Sequence, residues 1–279
     1  MIAVALALCS SVCGGCADFV AGLQNRRHRL VTIMLVSQST GLVGAVALAW
    51  ATSSDVGGPR DMLLAGLAGV SIGVAVGCLY RGLAVGTMSI VAPISACGAI
   101  VPVVVSLVRG DAPGPPALAG IALAFVGIVA ATLQRPGPAA ERSTGNGVGL
   151  ALGSALGFGC FYLALDGATE ADPLGIVLVS RISLVALLVL AGLATGVPFT
   201  VRRAALPPLL AVGLLDLAAV ALYALATREG LLSVVSVLAS FAPLVTIVLA
   251  RFVLGERVSR VQTVGIGTTL FGVMLIAIG

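Results

Sequence analysis

Lysine is absent from the sequence, histidine and tryptophan each occur once, and charged residues of every kind make up only 9% of the 279 residues. A soluble domain carries about 25% charged residues. So few charges cannot clothe a water-facing surface, and most of the surface is expected to face lipid. The one histidine, His28, lies in a basic connection and not in an apolar run. Haem ligation by histidine, His-based metal sites and Ser-His-Asp chemistry each need an imidazole in a better place. No cofactor, metal site or catalytic residue is therefore expected.

With lysine missing, the basic balance rests on 15 arginines against 11 acidic residues. They stand singly or in twos and threes between apolar runs, as membrane-flanking charges do. No basic stretch is interleaved with aromatics, so nucleic acid is not an expected partner. All six cysteines fall inside apolar runs, which excludes the disulfide framework of small secreted domains. Cys9, Cys13 and Cys16 share one helix face by their spacing. Thiolates suit soft metals, but small residues that let helices approach closely explain the cluster more simply.

What the chain has is hydrophobic length, at 59% of its residues. A helix needs about 20 apolar residues to cross a bilayer. Spans are expected at 2–22, 30–52, 62–82, 86–108 and 115–134, then at 147–167, 173–195, 205–226, 230–252 and 261–279. The first begins at Ile2 with no basic segment before it and reads as a span, not a cleaved leader. Barrel strands are excluded because they alternate polar and apolar residues, and these runs do not. The fold class expected is an all-α membrane protein with ten transmembrane helices, multi-pass in the cell membrane and surrounded by the lipid bilayer.

The two halves resemble each other. Leu6-Ala7-Leu8 aligns with Leu150-Ala151-Leu152, and Ser10, Gly15 and Cys16 align with Ser154, Gly159 and Cys160, all at an offset of 144. Leu35 through Gln38 aligns with Leu178 through Arg181 at 143, and Gly86 and Ser89 with Gly230 and Ser233 at 144. Gly110-Asp111 falls on Gly255-Glu256, and Gly120 and Gly127 on Gly265 and Gly272, at 145. A series this nearly in register points to duplication. With five spans per half, the second half enters the membrane upside down, the inverted-repeat arrangement that recurs in transporters. The expected organisation is a first five-helix repeat at 1–134, a linker rich in Pro, Gly and charge at 135–146, and a second repeat at 147–279.

Phe241-Ala242-Pro243-Leu244, Leu254-Gly255-Glu256-Arg257-Val258-Ser259, Gln262, Gly265 and Phe271-Gly272-Val273 together resemble the closing half of an EamA-type repeat of the drug/metabolite transporter superfamily. The first half carries a weaker copy in Val91-Ala92-Pro93-Ile94, Arg109-Gly110-Asp111, Gly120 and Gly127, with Pro93 and Pro102 both candidates for the counterpart of Pro243. Cys16-Ala17-Asp18-Phe19 followed by Arg26-Arg27 is similar to the opening of one bacterial branch. Cys13-Gly14-Gly15 stands where the family commonly has an aromatic. The resemblance implies a central cavity, peripheral spans 5 and 10, and export or import of a small molecule such as an amino acid, nucleoside, sugar or drug. An embedded enzyme or a non-transporting scaffold are the alternative functions.

Few polar groups lie within the spans. Gln38 and Arg181 each sit eight residues into their spans, about 12 Å from opposite faces. An intramembrane charge is a functional candidate by default, and Arg181 reads either as an anion-attracting wall of the cavity or as a structural, snorkelling residue. Asp216, about 15 Å deep, reads as a proton carrier, a contact for a cationic group, or a salt-bridge partner of Arg181; protons are the candidate coupling ion. Asp18 lies about 6 Å inside its face, where pairing with Arg26 and Arg27 competes with a cavity role. Tyr80, Tyr162 and Tyr223 are cavity or packing residues. Gly69, Gly73 and Gly77 on span 3, and Gly153 and Gly157 on span 6, are expected helix-contact seams.

Arg26, Arg27, Arg29, Arg81, Arg135, Arg142, Arg202, Arg203, Arg251, Arg257 and Arg260 fall on one side, against Arg60, Arg109 and Arg228 on the other. The positive-inside rule then places both termini outside the cytoplasm. The family resemblance implies the reverse.

Overall fold

The computed structural model describes residues 2–25, 30–85, 91, 94–110, 113–132, 144–168, 171–195, 203–254 and 259–278. His28, Arg26, Arg27, Arg29, Gly86, Ser89, Pro93, Asp111, Arg135, Arg142, Arg202, Gly255, Glu256 and Arg257 lie outside them, as does most of the 135–146 linker.

The described residues form helices and no strand. In chain order these are α1 (Ile2–Asn25), α2 (Leu30–Thr52), α3 (Pro59–Val85), α4 (Ile100–Val108), α5 (Pro115–Thr132) and α6 (Thr144–Gly167). After them come α7 (Pro173–Thr195), α8 (Leu206–Glu229), α9 (Leu232–Ala239), α10 (Ala242–Val253) and α11 (Arg260–Ile278). Seven segments are long and apolar enough to cross a membrane, the α9–α10 pair counting as one. Three more, Ile94–Val108, Pro115–Ala131 and Arg260–Ile276, are apolar but shorter. Their outward faces are hydrophobic. Trp50 is 85% exposed and Phe252 82%, with Val43, Leu63, Leu190 and Val264 also largely exposed. Water would not tolerate such a surface, and lipid does. The protein is a multi-pass membrane protein.

The expected continuous span at 230–252 is two helices. A proline inside a helix lacks the N–H that would bond the carbonyl four residues earlier, and its ring strikes that carbonyl. For Pro243 that residue is Ala239, where α9 ends; Pro243 then sits in the first turn of α10, which tolerates it. The first half has a matching irregularity. A 3₁₀ turn at Cys97–Ala99 precedes α4, and Gly98 is the residue four before Pro102. Pro102 therefore does in its span what Pro243 does in span 9.

Packing follows paired rules. Helix α1 packs on α8 as α6 packs on α3; α2 packs on α8 as α7 packs on α3; α5 packs on α11 and α2 on α7. Individual contacts match. A Cβ on Gly15 would lie 2.5 Å from the Ala242 carbonyl oxygen and against Val245, while one on Gly159 would lie 3.0 Å from the Gly98 carbonyl oxygen and against Val101. Gly15 to Gly159, Ala242 to Gly98 and Val245 to Val101 are all separated by 144 residues. Gly120 abuts Gly272, and Gly127 abuts Gly265, so the two glycine pairs cross between antiparallel α5 and α11.

The glycine seams behave unequally. Gly69 and Gly73 press on the Ser180–Leu187 stretch of α7, and Gly153 and Gly157 meet Cys78 and Ala75 of α3. Gly77 has nothing within 4 Å of where its Cβ would be, so the seam on α3 ends at Gly73.

Candidate functional site

The helices enclose a cavity of about 220 Å³ lined from α1, α2, α3, α6, α7, α8 and the α9–α10 junction. Asp18, Gln38, Tyr80, Tyr162, Arg181, Asp216 and Tyr223 all reach its wall. Six helices contribute these seven residues, so only the tertiary fold brings them together.

Arg181 is the most deeply buried charge of the group, its side chain 2% exposed, while Asp216 keeps 32% of its side chain open to the cavity. Nη1 of Arg181 donates to Asp216 Oδ2 at 2.5 Å and to Gln38 Oε1; Nη2 donates to the Asp216 backbone carbonyl at 2.9 Å. Gln38 Nε2 in turn donates to Asp216 Oδ2 at 3.1 Å. The three side chains close a ring of hydrogen bonds across α2, α7 and α8. A buried guanidinium needs a counter-charge and acceptors for its donors, and this ring supplies both. The salt bridge between Arg181 and Asp216 is present, and Gln38 joins it as a third member.

Aromatic rings form another wall. Tyr162 and Tyr223 have centroids 4.8 Å apart, and Phe161 lies 5.4 Å from Tyr162 and 6.3 Å from Tyr223. Tyr223 is 2% exposed, and its hydroxyl has no hydrogen-bond partner among the described residues. Asp18 faces the cavity instead of a helix neighbour; Arg26 and Arg27, its expected interfacial partners, lie outside the described residues.

A second cavity of about 340 Å³ adjoins the first, between the α4 turn and the α9–α10 break. Asp18, Tyr80, Phe158 and Tyr162 line both. Gln262 of α11 reaches the second cavity, so span 10 is less peripheral than the resemblance implied. Ser10, Ser95, Phe158 and Phe161 also reach one cavity or both and were not singled out from sequence. Ser10 carried a signal in its match to Ser154; the phenylalanines, common in any apolar run, carried none.

Polar contacts gather at one end of the bundle. The Asp55 N–H donates to Asp172 Oδ2 at 2.9 Å, and the Asp172 N–H donates to the Asp55 carbonyl at 3.1 Å. Arg109 lies 3.7 Å from Asp166. Arg228 donates to the carbonyls of Ala168 and Ala171 at 2.7 and 2.8 Å. Toward the opposite end the first cavity is lined by Ala21 near the end of α1 and Ile33 near the start of α2.

Among the described residues no three His, Cys, Asp or Glu come together in a group that could hold a metal ion, and all six cysteines are free.

Residues 145–278 match the EamA-like transporter family. The resemblance read from Phe241 through Val273 is thereby borne out. No curated protein matches the chain in sequence. Among solved structures, a crystal structure titled only as that of a protein superposes with a TM-score of 0.82 at 13% identity, covering 99% of this chain and 96% of the other. At that identity the likeness speaks for the fold.

Proposed function

We propose that this chain, whose second half carries the EamA-like transporter sequence, moves a small metabolite or drug-like molecule across the cell membrane by alternating access. The observation that carries the reading is the cavity itself. A polar-lined space at the meeting of helices from both halves is where a transporter of inverted repeats holds its substrate. A scaffold has no need of a buried Arg–Asp–Gln ring beside open space.

The finer architecture belongs to the same proposal. Ten membrane crossings form two inverted five-helix repeats, 1–134 and 147–279, joined by 135–146. The contacts related by 144 residues support this, as do the crossed glycine pairs of α5 and α11. Asp18, Gln38, Tyr80, Tyr162, Arg181, Asp216 and Tyr223 are the substrate-cavity residues. The bonds at the Asp55–Asp172 end support a state closed there and open at the other. Proton coupling is included. A proton on Asp216 removes half of its ion pair with Arg181 and so biases which state is favoured.

Cysteines placed along α2 near Gln38, in a chain lacking the native six, test the architecture. They are expected to react with water-soluble thiol reagents. Labelling along α5 and α11 with none near Gln38 would rule it out. An embedded enzyme is not favoured, because the acids Asp18, Asp166 and Asp216 sit on three helices and only Asp18 and Asp216 reach the cavity.

A further inference from the structure

The charges on the cavity wall do not cancel. Among the described residues, three acidic or basic side chains line the first cavity: Asp18, Arg181 and Asp216. Arg181 and Asp216 neutralise each other at 2.5 Å, and two further donors of Arg181 go to Gln38 and the Asp216 carbonyl. Asp18 is left over. It is also the one acidic or basic residue on the wall of the second cavity. No described group donates a hydrogen bond or an ion pair to its carboxylate. Among the described residues, the space where the two cavities join thus carries one acidic side chain with no basic partner, in a wall of mostly apolar residues that screens charge poorly.

Aromatic rings make up much of the rest of that junction, beside Leu79, Ala239 and Ala242. Tyr80, Phe158 and Tyr162 line both cavities alongside Asp18, and Phe161 and Tyr223 stack behind Tyr162. Ring faces carry negative potential and attract cations, more strongly where water is excluded. The Tyr223 hydroxyl, buried and without a partner among the described residues, offers a hydrogen bond to a polar group on the bound molecule. An anion would meet Asp18 with no free cation among the described residues of the wall to offset it. A neutral polar molecule would leave the carboxylate desolvated.

On the transporter reading, we infer that the substrate is a small organic monocation with an aromatic or apolar body, its charge held by Asp18 and its body against Tyr80, Phe158 and Tyr162. The cavity then takes an ammonium-bearing molecule of about one ring. Arg181 and Asp216 do not contact the charge; they brace the wall beside it.

The test uses the purified full-length chain in detergent, with benzyltrimethylammonium as the cation and phenylmethanesulfonate as an anion of similar shape. The thermal unfolding midpoint should rise with benzyltrimethylammonium in a saturable way and stay flat with the sulfonate. Asp18→Asn should weaken the cation's apparent affinity at least about tenfold, while Asp18→Glu retains it. Tyr162→Leu should weaken it less. An unchanged midpoint of Asp18→Asn without ligand shows that the variant folds. The inference is overturned if the sulfonate stabilises and the cation does not, if the cation has no effect on the unmutated chain, or if Asp18→Asn binds it equally well. Flux in proteoliposomes separates the two readings. Transport of molecules other than cations sinks this inference and leaves transport standing. Asp18-dependent binding with no flux of any molecule does the reverse.

Discussion

Gln38 and Arg181, at matching places in the two halves and 143 residues apart, hydrogen-bond to each other beside the cavity, and Asp216 accepts from both. Their burial is unequal, and the inequality sets the energetics. Arg181 is enclosed, whereas Asp216 keeps about a third of its side chain open to the cavity.

Asp216→Ala is therefore expected to cost more stability than Arg181→Ala. The first leaves a buried guanidinium without its counter-charge, at about 3 kcal/mol or more. The second leaves a carboxylate that water can reach. Arg181→Ala combined with Asp216→Ala should recover much of the loss, though not transport. Unfolding of the four proteins in detergent checks the cycle, and strict additivity would mean that the two residues are uncoupled.

Gly15 and Gly159 should answer alike to substitution. Alanine at either places a Cβ against a carbonyl and a valine of the facing span. Each change should cost about 1–3 kcal/mol. Matched losses support the duplicated packing. A cost at one position with none at the other contradicts it.

The Asp55–Asp172 end should loosen when Asp172 loses its carboxylate. Asp172 Oδ2 holds the Asp55 N–H from the other half. Spin labels at Ser53 and Glu229 report the separation there. Asp172→Ala should shift the distance distribution outward, and an unchanged distribution would show that the carboxylate does not hold the end closed.

Orientation rests on arginine alone. The charge count places the termini outside the cytoplasm, so a C-terminal reporter that fluoresces only in the cytoplasm should stay dark. A bright signal would show that the family resemblance, and not the arginine count, gives the orientation.

Much of this was legible because membrane helices announce themselves. An apolar run of span length has few other uses, and α2 and α7 begin and end at the expected residues. The depth of Arg181 and Asp216 on consecutive antiparallel helices was enough to pair them. The bridging by Gln38 was not legible, since depth along a helix does not fix which way a side chain turns. The break before Pro243 was readable in principle from the missing N–H, but a proline inside an apolar run also fits a kinked continuous span. The Asp55–Asp172 contact joins two connections, where no periodicity relates one residue to another. Depth left Asp18 open between interfacial pairing and a cavity role, because depth does not distinguish a lipid-facing surface from an open cavity.

The central claim is that small molecules cross the membrane through the cavity beside Arg181. Proteoliposomes carrying the purified protein, loaded with a metabolite extract and followed by mass spectrometry of what leaves, test it most directly. The account predicts that a small set of compounds escapes faster than from empty liposomes, and that Arg181→Ala abolishes the difference. No compound escaping faster, or equal escape through Arg181→Ala, would contradict it.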